Sequence, residues 1–277
     1  TVITNLGFSM APERLKEITD TFEHCYLIHS CLDTPTPIGT EYGFFDNNHE
    51  VSRPGVQKLV TRDGKGCKGA ICPLYLRQDP EGIFWSKHMA EGLRRAVDAF
   101  PTISAIMINY ESHAFDGLCE NCRNDFAAQE KLSKVPEAKE LVPGAPLYHK
   151  WVLYRARSRN EIVKKLGEVI HKEFPGIKFR MCTSALVPGE TFAESWSGLD
   201  VKGMEPLVDE FLNMHYCSGK NFFDMLELNR KELKKPQRVL CDPAEDLFQY
   251  YNRYTPEKLR QNIIATYALG TRNLTLY

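Results

Sequence analysis

A chain of 277 residues, 43% of them hydrophobic, can bury a sizeable core and has the length of one α/β barrel rather than of a β-sandwich. Lysine and arginine (35) nearly balance aspartate and glutamate (36), and a formal net charge of −1 speaks against nucleic acid as a partner. No apolar run reaches the roughly 18 residues that a membrane span needs. The chain begins at Thr1 and stops at Tyr277 inside an apolar run. The expectation is one domain over residues 1–277, excised from a longer protein; this chain carries no targeting segment, so localisation stays open, with a secreted or periplasmic setting among the options.

Short apolar runs alternate with longer amphipathic stretches, the pattern of βα units around a parallel sheet. The first run is Val2–Phe8, and Pro12 then opens a helix through Phe22. The second strand is Cys25–Ser30, followed from Thr34 to about Gly69 by a polar stretch too long for a simple connection. The third strand is read as Gly69–Tyr75. Asp79 and Pro80 open a helix to Phe100, with Trp85, Met89, Leu93 and Val97 near helical spacing. The fourth strand, Ile103–Asn109, runs straight into Tyr110, Glu111 and Ser112. A long helix covers Leu147–Phe174, with Val152, Ala156, Val163, Leu166 and Ile170 as its apolar stripe. Strands follow at Lys178–Thr183, Glu210–Tyr216 and Arg238–Cys241, with a helix over Asn221–Leu233 between the last two. Thr255-Pro256 caps a helix that ends at Gly270, and the eighth run is Asn273–Tyr277. Eight strands with intervening helices predict an α/β fold, a (β/α)8 TIM barrel. A doubly wound open sheet is the rival, but it would carry a glycine-rich phosphate turn after its first strand.

In such a barrel chemistry sits at the carboxyl ends of the strands. Those ends deliver His29 and Asp33, Tyr75 and Arg77, then Asn109, Tyr110, Glu111 and His113, then His215 and Tyr216, then Asp242 with Glu245 nearby, and last Tyr277. Glu111 and Asp242 would face each other across the mouth. One carboxylic acid can protonate a glycosidic oxygen while the other, ionised, attacks the anomeric carbon or activates water. Trp196, in a loop, suits the apolar face of a sugar, whereas Trp85 and Trp151 fit helix packing. This predicts a carbohydrate substrate and no catalytic cofactor, with Asn109, His113, Trp196, His215, Tyr216 and Tyr277 as binding residues. A non-catalytic barrel that binds sugar or protein is the alternative. A metal-dependent hydrolase is weaker, because no His-x-His or His-Glu-x-x-His pattern occurs.

Of nine cysteines, Cys25, Cys182, Cys217 and Cys241 lie in strand-like runs and are read as buried thiols. Cys119 and Cys122 form a C-x-x-C pair in what reads as an exposed polar loop. Two ligands do not complete a zinc site, and Cys67 and Cys72 are the nearest cysteines in sequence. Thioredoxin-like chemistry is not expected, since the pair is not read as following a strand and opening a helix.

The stretch Ile106–Phe126, I-M-I-N-Y-E-S-H-A-F-D-G-L-C-E-N-C-R-N-D-F, resembles glycoside hydrolase (β/α)8 barrels, and most of all barrel-type β-galactosidases with a cysteine-bound zinc. Cys72–Glu81, C-P-L-Y-L-R-Q-D-P-E, resembles the strand-three turn of sugar-cleaving barrels. The resemblance implies Glu111 as acid/base and a structural zinc at Cys119 and Cys122. This chain departs from that pattern in three places: Tyr110 separates Asn109 from Glu111, Asp242 stands where those enzymes have glutamate, and no further cysteine stands just before the pair.

Overall fold

The computed structural model describes residues 2–5, 17, 20–21, 25–30, 57–60, 64–99, 102–110, 117–184, 200–214, 220–234, 239–242 and 255–271. Its centre is a six-stranded sheet of β1 (Val2–Asn5), β2 (Cys25–Ser30), β5 (Ile103–Tyr110), β6 (Lys178–Ser184), β7 (Glu210–Met214) and β8 (Val239–Asp242), hydrogen-bonded in that order. Every pair in it is parallel. In β5, Ile103, Ala105, Ile106, Met107 and Ile108 are all buried, so neither face of the strand meets water. A strand covered on both faces is what helix crossovers impose, and it explains why I-S-A-I-M-I shows no clean alternation.

The predicted third strand is corrected. β4 (Gly66–Ile71) pairs antiparallel with β3 (Lys58–Val60), outside the main sheet, and β2 pairs directly with β5. The expected strand four is therefore third among the described strands of the sheet. The cause is Pro73, which has no N–H for a ladder and suits the first position of a helix. It opens α1 (Pro73–Gln78), which ends at Asp79 in a left-handed conformation (φ 44°). Asp79, expected to start a helix, closes one and accepts the Phe84 N–H at 3.0 Å ahead of the next. That next helix begins as a wide π-type turn over Phe84–Met89 and continues as α2 (Ala90–Ala99). Tyr75 and Arg77, expected at a strand end, lie instead on α1, where Tyr75 is buried.

α3 (Glu120–Gln129) and the 26-residue α4 (Tyr148–Glu173) complete this helical layer, with a 3-10 turn over Ala138–Leu141 between them. All five residues of the predicted α4 stripe are buried. α4 lies close to β6: a Cβ on Gly167 would meet Phe179 Cδ1 at 3.1 Å and Leu207 O at 3.2 Å, so any larger residue would have to push these neighbours back by a few tenths of an ångström. Phe126 stands edge-on to Trp151 with centroids 5.1 Å apart, and Trp151 stacks on Tyr154 at the same distance. Trp85 is buried too, its indole N–H donating to Leu76 O at 2.8 Å, so both tryptophans serve packing as expected. Arg77 fastens three helices: it donates to Asp125 on α3 at 3.0 Å, and to Ser158 (2.9 Å) and Glu161 (2.7 Å) on α4. Tyr154 donates its hydroxyl to the same Asp125 at 2.8 Å.

Further along the chain come α5 (Val201–Met204), α6 (Lys220–Glu232) and α7 (Pro256–Ala268), and α5 is tied to α4 where Asn160 donates to Asp200, its N-cap, at 3.1 Å. Thr255 caps α7 through the Lys258 N–H, and Gly270, at φ 81°, follows its end, as the sequence indicated. Among the described residues no helix is long and apolar enough to cross a membrane.

Phe126 is fully buried, so Phe126→Ala is expected to destabilise the chain by about 3–5 kcal/mol in chemical denaturation. Ile264→Ser on α7, where the side chain is 56% exposed, is expected to stay within about 0.5 kcal/mol. Similar costs at both positions would contradict the helical layer.

Candidate active site and thiol cluster

Because the sheet is parallel, its strands end on one common edge. β5 ends with Asn109 and Tyr110, and β8 ends at Asp242, with β6 and β7 between them. Three strand spacings of about 4.8 Å make about 14 Å of sheet between those two ends. For Asn109 and Asp242 the structure describes the backbone alone. Glu111, His113, Trp196, His215, Tyr216, Glu245 and Tyr277, and with them His29's side chain and Asp33, lie outside the described residues.

The cysteine pair is described in full and differs from the sequence reading in two ways. It is not in an exposed loop: Cys122 is buried and lies inside α3. It does open a helix, since Cys119 is the N-cap of α3 and its sulfur accepts the Cys122 N–H at 3.4 Å. The missing partner is Cys72, one of the two cysteines weighed in the sequence. It stands at the turn from β4 to α1, its N–H donating to Gln57 O at 2.8 Å. Cys72 Sγ lies 3.6 Å from Cys119 Sγ and 3.3 Å from Cys122 Sγ, and all three sulfurs fall within 4.8 Å of one another. These separations exceed a disulfide bond of about 2.05 Å, and all three are free thiols. Cys67 lies in β4, with its side chain outside the described residues.

Hydrogen bonds from Cys122 and then Cys72 hold the Cys119 thiol well below its ordinary pKa, and its place at a helix N-terminus acts in the same direction. Sharing with Cys119 is also the leading cause that pushes Cys72 and Cys122 up, with burial adding to it. Cys119 is thus the most acidic of the three thiols. The tight anchoring continues just upstream, where the N–H groups of Gly117 and Leu118 both donate to Val60 O at 2.9 and 3.1 Å. Gly117 (φ 96°) and the buried Arg155 beside it were not singled out in the sequence, and a lone glycine between Asp116 and Leu118 gives no signal of it.

In metal-free protein, iodoacetamide is expected to modify Cys119, partly exposed and ionised, ahead of Cys72 and Cys122 in peptide mapping over time. Earlier labelling of Cys122 would contradict this geometry.

Neither a protein-family model nor a curated protein matches the sequence. Solved structures match it in fold. The catalytic domain of β-amylase from Paenibacillus polymyxa aligns over 99% of this chain and 84% of its own, with 10% identity and a TM-score of 0.64. The PgaB (BpsB) glycoside hydrolase domain from Bordetella bronchiseptica aligns over 99% and 93%, with 12% identity and a TM-score of 0.58. β-Galactosidase from Bacillus circulans sp. alkalophilus aligns over 99% of this chain but 46% of its own, with 14% identity and a TM-score of 0.61. The chain thus spans about half of that β-galactosidase, and its fold resembles that of glycoside hydrolase TIM barrels.

Proposed function

We propose that this chain is a glycoside hydrolase whose sheet closes into an eight-stranded barrel, and that it cleaves a glycosidic bond in carbohydrate or polysaccharide breakdown. The observation that carries the reading is the common edge on which β5 and β8 end, with Glu111 directly after Tyr110 and Asp242 closing β8. Full-length likeness in fold to glycoside hydrolases supports it. Glu111 is the general acid/base, and Asp242 is the nucleophile or the base, with Glu245 in reserve. Asn109, His113, His215, Tyr216 and Tyr277 hold sugar hydroxyls, and Trp196 stacks on a ring. Closure of the proposed barrel would bring the two strand ends nearer than the roughly 14 Å of flat sheet between them, toward the separations such pairs need. Those are roughly 5 Å for retention of configuration and roughly 6.5–9.5 Å for inversion.

The thiol cluster fits a structural zinc. Four sulfurs at about 2.3 Å from zinc would stand about 3.8 Å apart, and Cys72 Sγ stands 3.3 Å from Cys122 Sγ and 3.6 Å from Cys119 Sγ. Cys72, Cys119 and Cys122 would hold the ion, and it would supply a crosslink between the β4–α1 turn and α3 rather than catalysis.

Glu111→Gln keeps shape and removes the proton, so turnover of a poor-leaving-group glycoside is expected to fall about 10²–10⁴-fold with the melting temperature unchanged. Full activity in this variant contradicts the role of Glu111. No turnover of any glycoside by the parent chain favours a sugar-binding barrel. Metal analysis of purified chain is expected to give about one equivalent of zinc, lost in Cys72→Ser.

A further inference from the structure

We infer that a zinc ion held by Cys72, Cys119 and Cys122 takes its fourth ligand from solvent, in a buried cavity beside Cys122, and so keeps one coordination position open to exchange. The inference rests on the zinc reading above.

Zinc fills four positions in a closed structural site, and a site with three protein ligands completes itself with water. Among the described residues the cluster contains three ligand atoms, all cysteine sulfur, and no histidine, aspartate or glutamate joins them. The residues just before the pair, Gly117 and the buried Leu118, have no ligand atom in their side chains. Where a cysteine at position 117 would carry its Cβ, that atom would meet Leu59 Cδ1 at 3.4 Å and Arg155 Nη1 at 3.6 Å, on a backbone at φ 96° that suits glycine.

Beside the cluster lies a cavity about the size of one water molecule. Its walls include Cys122, the one cysteine of the triad that borders it, together with Gly117, Pro73 (the residue after Cys72), Trp151 and Arg155. A second, independent observation comes from Trp151. Its side chain is 1% exposed, and its Nε1–H has no acceptor among the described residues. Buried donors of this kind are nearly always satisfied by protein or by ordered water. A water oxygen has two lone pairs, one for the ion and one for the indole N–H. Charge agrees as well. Three thiolates and one divalent ion sum to −1, and the Arg155 guanidinium on the cavity wall offsets that charge in a buried setting. The ligand class is therefore one small oxygen donor, exchangeable for a compact soft anion.

The test uses the full chain loaded with one equivalent of metal. X-ray absorption at the zinc edge is expected to show three sulfurs near about 2.3 Å and one oxygen near about 2.0 Å, with no imidazole outer shell. In the cobalt(II) form, cyanide below the concentration that strips the metal is expected to change the visible spectrum saturably. Trp151→Phe keeps an aromatic ring in the core but removes the N–H together with the five-membered ring of the indole. It is expected to retain the metal and shift the cyanide dissociation constant about three- to tenfold, the range of one hydrogen bond. Four sulfurs, an imidazole shell, a cobalt spectrum that ignores cyanide, or an unchanged constant in Trp151→Phe overturns the inference while leaving zinc in place. Less than about half an equivalent of bound zinc instead removes the zinc reading itself.

Discussion

The contact on which the candidate site depends is the meeting of Cys72 with Cys119 and Cys122. It joins stretches of chain 47 and 50 residues apart. Closing a loop of that length costs conformational entropy that thiol contacts alone do not offset, whereas binding an ion supplies folding free energy outright. The location of the contact matters more than its strength. The run that begins with Glu111 has Tyr110, the end of the central strand β5, on one side. On the other side stand Gly117 and Leu118, tied to Val60 O, and then the N-cap of α3. Residues 111–116 are thus bounded by two fixed points, and the thiol cluster secures the second. Around it, Arg77 fastens α1, α3 and α4 through Asp125, Ser158 and Glu161, and the Phe126, Trp151 and Tyr154 rings pack against one another. Under the proposed role of Glu111, fixed points of this kind on both sides of its run would limit how far the carboxylate can stray.

Most of the parallel sheet was legible because its strands are short, rich in β-branched and aromatic residues, and separated by helices with clear periodicity. Cys25–Ser30 matches the prediction to the residue, and β5, β6 and β8 agree with theirs within one or two residues at each end. The failure at Gly69–Tyr75 has a local cause. I-C-P-L-Y-L is equally apolar as a strand or as a buried helix, and periodicity cannot separate the two over so few residues. Pro73 was the available discriminator, since it favours the first turn of a helix. The cluster was half legible. The C-x-x-C spacing pointed to Cys119 and Cys122, but nothing local distinguishes Cys72 from Cys67 as their partner, because that choice is made by tertiary folding. Arg77 was noticed for the wrong reason: it is a clamp between helices and not a strand-end group.

The two ends of the sheet carry different chemistry. At the amino ends of β6 and β7 the charges are spent on each other. Glu210, first in β7, pairs with Lys178, first in β6, and with the buried Arg180. Beside them Asp209 accepts the Phe179 N–H at 2.8 Å and faces His171 at 3.0 Å. These bonds lock the register of neighbouring parallel strands, which have no hairpin to set it. Asp209 and Glu210 are thereby committed to structure. At the carboxyl ends the strands close with Asn109-Tyr110, Ser184, Met214 and Asp242, and in sequence Glu111 follows the first of these and His215 the third. Barrel enzymes divide stability and catalysis between the two ends in this manner. That division makes Glu111 and Asp242 the carboxylates to test first, ahead of the many others on the surface.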